Sequence, residues 1–124
     1  MPMTASAGGP WPLEIRVKRA ERALEIDFDD GATFRYPAEL LRVESPSAEV
    51  QGHVPSQKVT LAGKRTVGIA SLDQVGNYAV RIVFDDGHDT GIFSWPYLYR
   101  LGRDQARIWQ DYLDAVARKG LSRD

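Results

Sequence analysis

Leu24-Glu25-Ile26-Asp27-Phe28-Asp29-Asp30-Gly31-Ala32-Thr33-Phe34-Arg35-Tyr36 decides the fold class. Leu24, Ile26 and Phe28 alternate with Glu25 and Asp27, and Phe34 and Tyr36 alternate with Thr33 and Arg35, the two-residue period of strands with one buried face. Asp29-Asp30-Gly31 between them supplies turn chemistry and a glycine able to take positive φ, so the stretch reads as a β-hairpin. Upstream, Leu13-Glu14-Ile15-Arg16-Val17 alternates in the same way and predicts a third strand. Downstream, Pro37 suits the first turn of a helix, Ala38 to Arg42 gives one or two short turns, and Ser45-Pro46-Ser47 ends them.

Phe84-Asp85-Asp86-Gly87 repeats Phe28-Asp29-Asp30-Gly31 after a second strand pair, Val67 to Val75 and Tyr78 to Phe84, joined at Gly76-Asn77. Tyr78, Val80, Ile82 and Phe84 fall on one face of that pair. A short strand, Thr90 to Phe93, and an aromatic-Pro pair, Trp95-Pro96, follow as Tyr36-Pro37 follows the first hairpin. Either the unit is an internal repeat or two similar hairpins use common turn residues. Between the units, Val43 to Gln57 shows no period and reads as a long surface loop, a length that usually marks function. Lys58 to Leu61 reads as a short strand, and Ala62-Gly63-Lys64-Arg65 as a turn.

Ser94 suits the N-cap of a short helix with Pro96 in its first turn and Gly102 interrupting it. From Arg103 to Arg118, Ala106, Ile108, Trp109, Tyr112, Leu113, Val116 and Ala117 share one side of a 3.6-residue wheel, predicting an amphipathic helix packed on a sheet. Asp114 and Arg118 pair at i,i+4, and Gly120 is placed to end the helix. The expectation is an α+β fold: a mainly antiparallel sheet built from β-hairpins, with short helical turns and a C-terminal amphipathic helix. It occupies residues 12–120, with tails at 1–11 and 121–124.

The chain has 124 residues, enough for one core without staples. With 43% hydrophobic and 27% charged residues it is globular rather than disordered. The net charge of −1 lacks the electrostatic footprint of a general nucleic-acid binder. The absence of cysteine excludes disulfides, thiolate metal sites and cysteine nucleophiles. Met1 to Pro12 lacks the basic start and apolar run of a secretory signal, and no stretch approaches a membrane span. A cytoplasmic protein is the expectation, with neither nucleic acid nor membrane as partner.

Two histidines restrict the chemistry. His88 is followed two positions on by Thr90 and His53 by Pro55, so the His-x-Asp of a non-haem iron triad is missing. Gly63-Lys64-Arg65-Thr66 lacks the spacing of a phosphate loop. Asp85, Asp86, His88 and Asp89 crowd one turn and form a candidate cation site, the ordinary alternative being solvated hairpin tips. Lys64, Arg65, Arg42 and Lys58 form a modest basic patch or plain surface charge. Trp95, Tyr97, Tyr99, Trp109 and Tyr112 serve the core unless one is left exposed as a partner anchor.

Leu41-Arg42-Val43-Glu44-Ser45-Pro46-Ser47-Ala48-Glu49-Val50-Gln51-Gly52-His53, Val67-Gly68-Ile69, Gly76-Asn77-Tyr78 and Phe84 to Ile92 together resemble the small bacterial family named for the N-terminal domain of γ-butyrobetaine hydroxylase. The resemblance covers Pro12 to Gly102. In the hydroxylase it implies a domain ahead of a catalytic double-stranded β-helix, holding a structural zinc through three cysteines and a histidine. Carried over, those positions are Ser45, Ser47, Val50 and His88. Only the histidine matches, so the expectation is no tightly bound zinc and no cofactor, with room for weak metal binding. The resemblance also implies a module found beside iron–sulfur carrier P-loop ATPases of the Mrp type as well as dioxygenases.

The function expected is therefore a non-enzymatic accessory domain that binds a protein partner, an Mrp-type ATPase or an iron-dependent dioxygenase, through Glu44, Ser45, Ser47, Glu49, His53 and His88. The alternative is a metal- or small-ligand-binding module built on His88 with Asp85, Asp86 or Asp89. A hydrolase using the Asp/His clusters ranks behind both. The oligomeric state is left open.

Overall fold

A computed structural model describes residues 9–124. They form two antiparallel three-stranded sheets rather than one: β1 (Pro12–Lys18), β2 (Ala23–Phe28) and β3 (Thr33–Pro37) in chain order, then β4 (Ile69–Val75), β5 (Ala79–Phe84) and β6 (Gly91–Ser94) likewise. Helices α1 (Ala38–Val43) and α2 (Ala48–Gln51) lie between the sheets in sequence, and α3 (Trp95–Arg103) and α4 (Gln105–Arg118) follow the second. The fold is α+β. Leu24, Ile26 and Phe28 of β2 and Val80, Ile82 and Phe84 of β5 enter a single core with Leu40 and Leu41 of α1 and Leu98 and Leu101 of α3. The alternation read from the sequence is the pattern that puts these residues inward and their polar neighbours outward.

The two sheets repeat one another at the level of backbone hydrogen bonds. Phe28 N donates to Ala32 O and Gly31 N to Phe28 O, while Phe84 N donates to His88 O and Gly87 N to Phe84 O. The first aspartate of each turn ties back to the start of its unit: Asp29 Oδ1 accepts from Trp11 N at 3.0 Å, and Asp85 Oδ1 accepts from Gly68 N at 2.9 Å. Gly31 and Gly87 have φ of +92° and +94° with open space around them, so backbone conformation rather than crowding demands glycine there. Ala38 N and Trp95 N close the units on Arg22 O and Tyr78 O.

Several elements differ from the sequence reading. Tyr78 precedes β5 and is exposed, because the turn at Gly76-Asn77 extends through it. Pro37 ends β3 as the N-cap of α1 rather than entering its first turn. The stretch Val43 to Gln57 is not a surface loop throughout: it contains α2 and a 3₁₀ turn at Pro55–Gln57, and Val43, Ser45 and Val50 are buried. Lys58 to Leu61 forms no strand, though Lys58 itself has extended dihedrals, and no strand among the described residues pairs with it.

The break expected at Gly102 falls at Asp104, and Gly102 lies within α3, where the close approach of Phe34, 2.4 Å from where a Cβ would sit, requires glycine. Helix α4 packs Tyr112 and Val116 on Val43, with Leu61, Trp109 and Leu113 half-buried around them, and only Ile108 and Trp109 reach the core shared with the sheets. Ala106 and Ala117 are exposed. Asp114 accepts from Gln110 Nε2 at 2.9 Å instead of pairing with Arg118. Gly120 ends α4 as read, with φ of +66° and Leu121 N reaching back to Val116 O.

Neither expected tail is detached where it is described. Residues 1–8 lie outside the described residues, but Trp11 packs edge-on against Trp95, with ring centroids 6.4 Å apart. At the other end Gly63 N and Arg65 N donate to Ser122 O and Arg123 O, and Arg123 donates to both carboxylate oxygens of buried Glu39 at 2.7 and 2.8 Å. A buried carboxylate requires such a partner, and the last residues supply it.

Candidate functional site

The chemistry-bearing residues of the middle segment converge on His88. Helix α1 is buried along its whole length, so its end delivers Glu44 and Ser45 inside the protein. Ser47 stands at the N-cap of α2, where a serine normally accepts from a backbone N–H, but its side chain makes no capping bond. Its hydroxyl instead lies 3.4 Å from His88 Nε2, and the Ser45 hydroxyl lies 3.0 Å from the same atom. Ser47 N donates to Ser45 Oγ, which leaves the Ser45 proton for the imidazole. Gly91 of β6 makes room for this arrangement, since a Cβ there would come 2.3 Å from Ser45 Oγ. Ser45 has no exposed surface and His88 only 8%, so the pair is enclosed by the protein.

Beside the imidazole, Asp86 Oδ2 accepts from Arg42 Nε at 2.8 Å and from Lys64 Nζ at 2.6 Å, and Asp86 Oδ1 accepts from His88 N at 3.1 Å. Burial pushes the Asp86 carboxyl up, but Lys64, the His88 N–H and Arg42 outweigh it and hold it at about 2. Burial, helped by the charge of Arg42, lowers the His88 imidazole below its usual value against the opposing pull of Glu49, Asp86 and Asp89. The imidazole is therefore favoured neutral. Arg42 is buried too, with its Nη1 left without a partner.

The structure brings Ser45, Ser47 and His88 together, with Val50 buried alongside in the same segment, and separates the acidic residues. Asp85 faces Gly68, Asp86 faces Arg42 and Lys64, and Asp89 is exposed near Arg81. Among the described residues no group of three or more His, Cys, Asp or Glu is placed to hold a metal ion. The donor set at the positions corresponding to the hydroxylase zinc ligands does not suit zinc: two hydroxyls, one imidazole and the Val50 side chain, which has no donor atom. Of the residues expected to meet a partner, Glu44, Ser45, Ser47 and His88 are buried, because they join the middle segment to the second acidic turn from inside. Glu49 and His53 are exposed, and the Thr90 hydroxyl donates to Glu49.

A second feature was not legible in the sequence. A cleft of about 530 Å³ opens between α3, α4 and the Pro55–Thr60 stretch, floored by Val43, Leu101 and Tyr112. Its walls bring together residues up to 76 positions apart, and only the packing of α4 against α1 creates it.

A pair of matched three-stranded hairpin units sharing one core, with a closed Ser–Ser–His cluster tying the segment between them to the second acidic turn, defines an α+β domain. The sequence profile of the γ-butyrobetaine hydroxylase-like N-terminal family matches residues 15–99, and the chain belongs to that family. No curated protein matches it. Two solution NMR structures are 43% and 46% identical with TM-scores of 0.80 and 0.81; the matches cover 93% and 98% of this chain and 90% and 91% of theirs. A crystal structure of a protein of unknown function from Acidithiobacillus ferrooxidans, of the DUF971 family, is 44% identical with a TM-score of 0.62, over 73% of this chain and 91% of that one. No helix among the described residues is long and apolar enough to cross a membrane.

Proposed function

We propose that this domain is a non-enzymatic accessory module that binds a protein partner, either an Mrp-type iron–sulfur carrier ATPase or an iron-dependent dioxygenase. The observation that carries the reading is the closure of the Ser45–Ser47–His88 cluster: the side chains suited to nucleophilic or acid–base chemistry bond to one another at zero to 8% exposure. A catalytic site needs an approach for substrate, and a binding module needs only a rigid exposed face. The cluster fixes α2 and the Asp85–Asp89 turn side by side, and their outer surface presents Glu49, His53 and Asp89. The partner classes come from the family resemblance. No resident zinc or other cofactor is part of this reading, and neither nucleic acid nor membrane is a partner.

The test is titration calorimetry of the purified chain against the purified Mrp-type ATPase and dioxygenase of the same organism. Saturable binding of one of them, weakened at least tenfold by the double variant Glu49→Arg/His53→Glu with an unchanged urea midpoint, is the expected result. Turnover of a metabolite by the isolated chain, abolished by His88→Ala, would replace the module with an enzyme.

A further inference from the structure

We infer that the cleft between α3, α4 and Lys58–Leu61 receives an extended acidic segment of the protein partner, paired along Lys58–Leu61 as an added strand. This rests on the accessory-module reading and gives its partner a chemistry. The first observation is charge. The cleft is lined by five basic side chains and two acidic ones, on a chain whose net charge is −1. Lys58 is matched by Glu44 at 2.6 Å and Arg107 by Asp111 at 3.5 Å, which uses both acids. Arg100 rests over the Tyr97 ring, Lys119 donates to the Thr60 hydroxyl, and Arg118 completes a set of three cations without a carboxylate partner among the described residues.

The second observation is backbone. Lys58-Val59-Thr60-Leu61 alternates as a strand does, yet no strand among the described residues pairs with it. Val59 N donates to Val50 O and Leu61 O accepts from Tyr112 OH. The carbonyls of Lys58, Val59 and Thr60 and the N–H of Thr60 make no backbone hydrogen bond among the described residues. Val59 is 44% exposed beside them. A segment of alternating side chains with free main-chain groups and an apolar side chain at its lip is a template for strand addition, in which main-chain bonds give affinity and side-chain contacts give specificity.

Spacing joins the two. Arg107 and Arg118 stand eleven residues apart on α4, about 16 Å at 1.5 Å per residue. An added strand advances about 3.3 Å per residue, so about five residues span that distance, and acidic residues at alternate positions face the helix while the residues between them face away. Carboxylates delivered to Arg100, Arg118 and Lys119 then meet exposed cations that no carboxylate among the described residues already pairs, so the attraction steers and orients the segment and weakens with salt.

The probe is the acetylated and amidated peptide Thr-Glu-Val-Glu-Val-Glu-Thr, titrated into the isotope-labelled full chain and followed by amide chemical shifts. Saturable shifts confined to Lys58–Leu61 and α4 are expected, weakened at least tenfold when the three glutamates are replaced by glutamine and when the chain carries Arg100→Glu/Arg118→Glu. Both arginines are exposed, so that variant keeps its fold, which an unchanged spectrum of the sheets verifies. Absence of saturation at 1 mM peptide (about −4 kcal/mol), equal binding of the glutamine peptide, or tighter binding of pyrophosphate or ADP in the cleft each overturns the proposal. The intact partner separates the two readings: if it binds wild type and Arg100→Glu/Arg118→Glu equally, the module stands and the cleft falls; if the peptide binds but neither intact protein does, the cleft stands and the partner assignment falls.

Discussion

Asp30 and Asp86 occupy the same position in two hairpins whose turn hydrogen bonds correspond one for one, yet they do different work. Asp30 lies at the surface, where its carboxylate accepts from Tyr99 OH at 2.5 Å and from Ala32 N at 3.0 Å. Asp86 is held between Arg42, Lys64 and the His88 N–H and compensates a buried guanidinium. The residue after the turn glycine differs as well: Ala32 in the first unit, His88 in the second. Where the first unit carries Phe34 opposite Ile26, the second carries Gly91 opposite Ile82, and the space goes to Ser45 instead of a ring. A shared backbone thus supports an aromatic packing site in one copy and a polar joint in the other.

The largest expected break in the comparison follows from the buried charge. Asp86→Ala leaves Arg42 buried without its carboxylate and should cost about 2–4 kcal/mol, with Lys64 and partial exposure keeping it below the cost of a fully buried pair. Asp30→Ala removes surface hydrogen bonds that water can replace and should shift the urea midpoint far less. Urea titrations of the two variants check this, and equal losses would mean that the polar joint contributes no more than an ordinary turn.

Next in size is the Gly91 site. Gly91→Ala forces a Cβ against Ser45 Oγ and the Phe93 ring, 2.3 and 3.0 Å away before relaxation, and should cost about 1–3 kcal/mol. Ser45→Ala removes the nearer atom, so the double variant should be less destabilised than the two single effects predict. A double-mutant cycle measures that coupling, and strict additivity would show that Ser45 does not occupy the Phe34-equivalent space.

The hairpins were legible because a period of two and an Asp-Asp-Gly turn are local signals, and they placed Leu24, Ile26, Phe28, Val80, Ile82 and Phe84 correctly in the core. The middle segment was misread because its burial is set elsewhere. Ser45, Ser47 and Glu44 look like loop residues until α1 proves buried on every side, and no local pattern announces that Gly91 leaves room for a hydroxyl. The likeness to the hydroxylase domain did bring Ser45, Ser47, Val50 and His88 into one set; the structure places Ser45, Ser47 and His88 within hydrogen-bond distance of one another and buries Val50 in the same segment. The packing of Tyr112 on Val43 and the basic cleft beside it depend on where α4 breaks from α3; the interruption read at Gly102 falls two residues later, at Asp104, since Gly102 sits inside α3 against Phe34, a contact no local pattern announces.

His88 gives the second unit a pH response that Ala32 cannot give the first. Its folded pKa lies below 6.5, so between those values the unfolded chain binds more protons than the folded one. Stability supplied by the neutral imidazole is fully present above pH 6.5 and declines as pH falls through the folded value. Asp86, held at about 2, does not release its share until far lower pH. Urea midpoints should therefore fall between pH 6.5 and about 4, where other carboxylates begin to titrate, and His88→Gln should flatten that slope. An unchanged slope in the variant would assign the response to other groups.

The smallest effect concerns one cross-strand pair. Arg16 on β1 faces Glu25 on β2, and Asp73 on β4 faces Arg81 on β5, so the same pair of sites carries opposite polarity in the two units. Arg16 Nε donates to Glu25 at 3.0 Å and its other nitrogens grip Asp27, whereas the position equivalent to Asp27 is Val83 and Arg81 reaches Asp89 instead. Both pairs face solvent, where opposite charges gain a few tenths of a kcal/mol to about 1 and like charges lose as much. Asp73→Arg alone should cost about 0.5 kcal/mol at low salt and less at high salt, because two arginines then face each other across the strands. Asp73→Arg with Arg81→Glu copies the polarity of the first unit and should return the urea midpoint to within about 0.3 kcal/mol of the parent. Failure of the reversed pair to recover, with the single variant costing more than about 2 kcal/mol, would mean that these side chains hold the second sheet through contacts the first does not share, and that the repetition ends at the backbone.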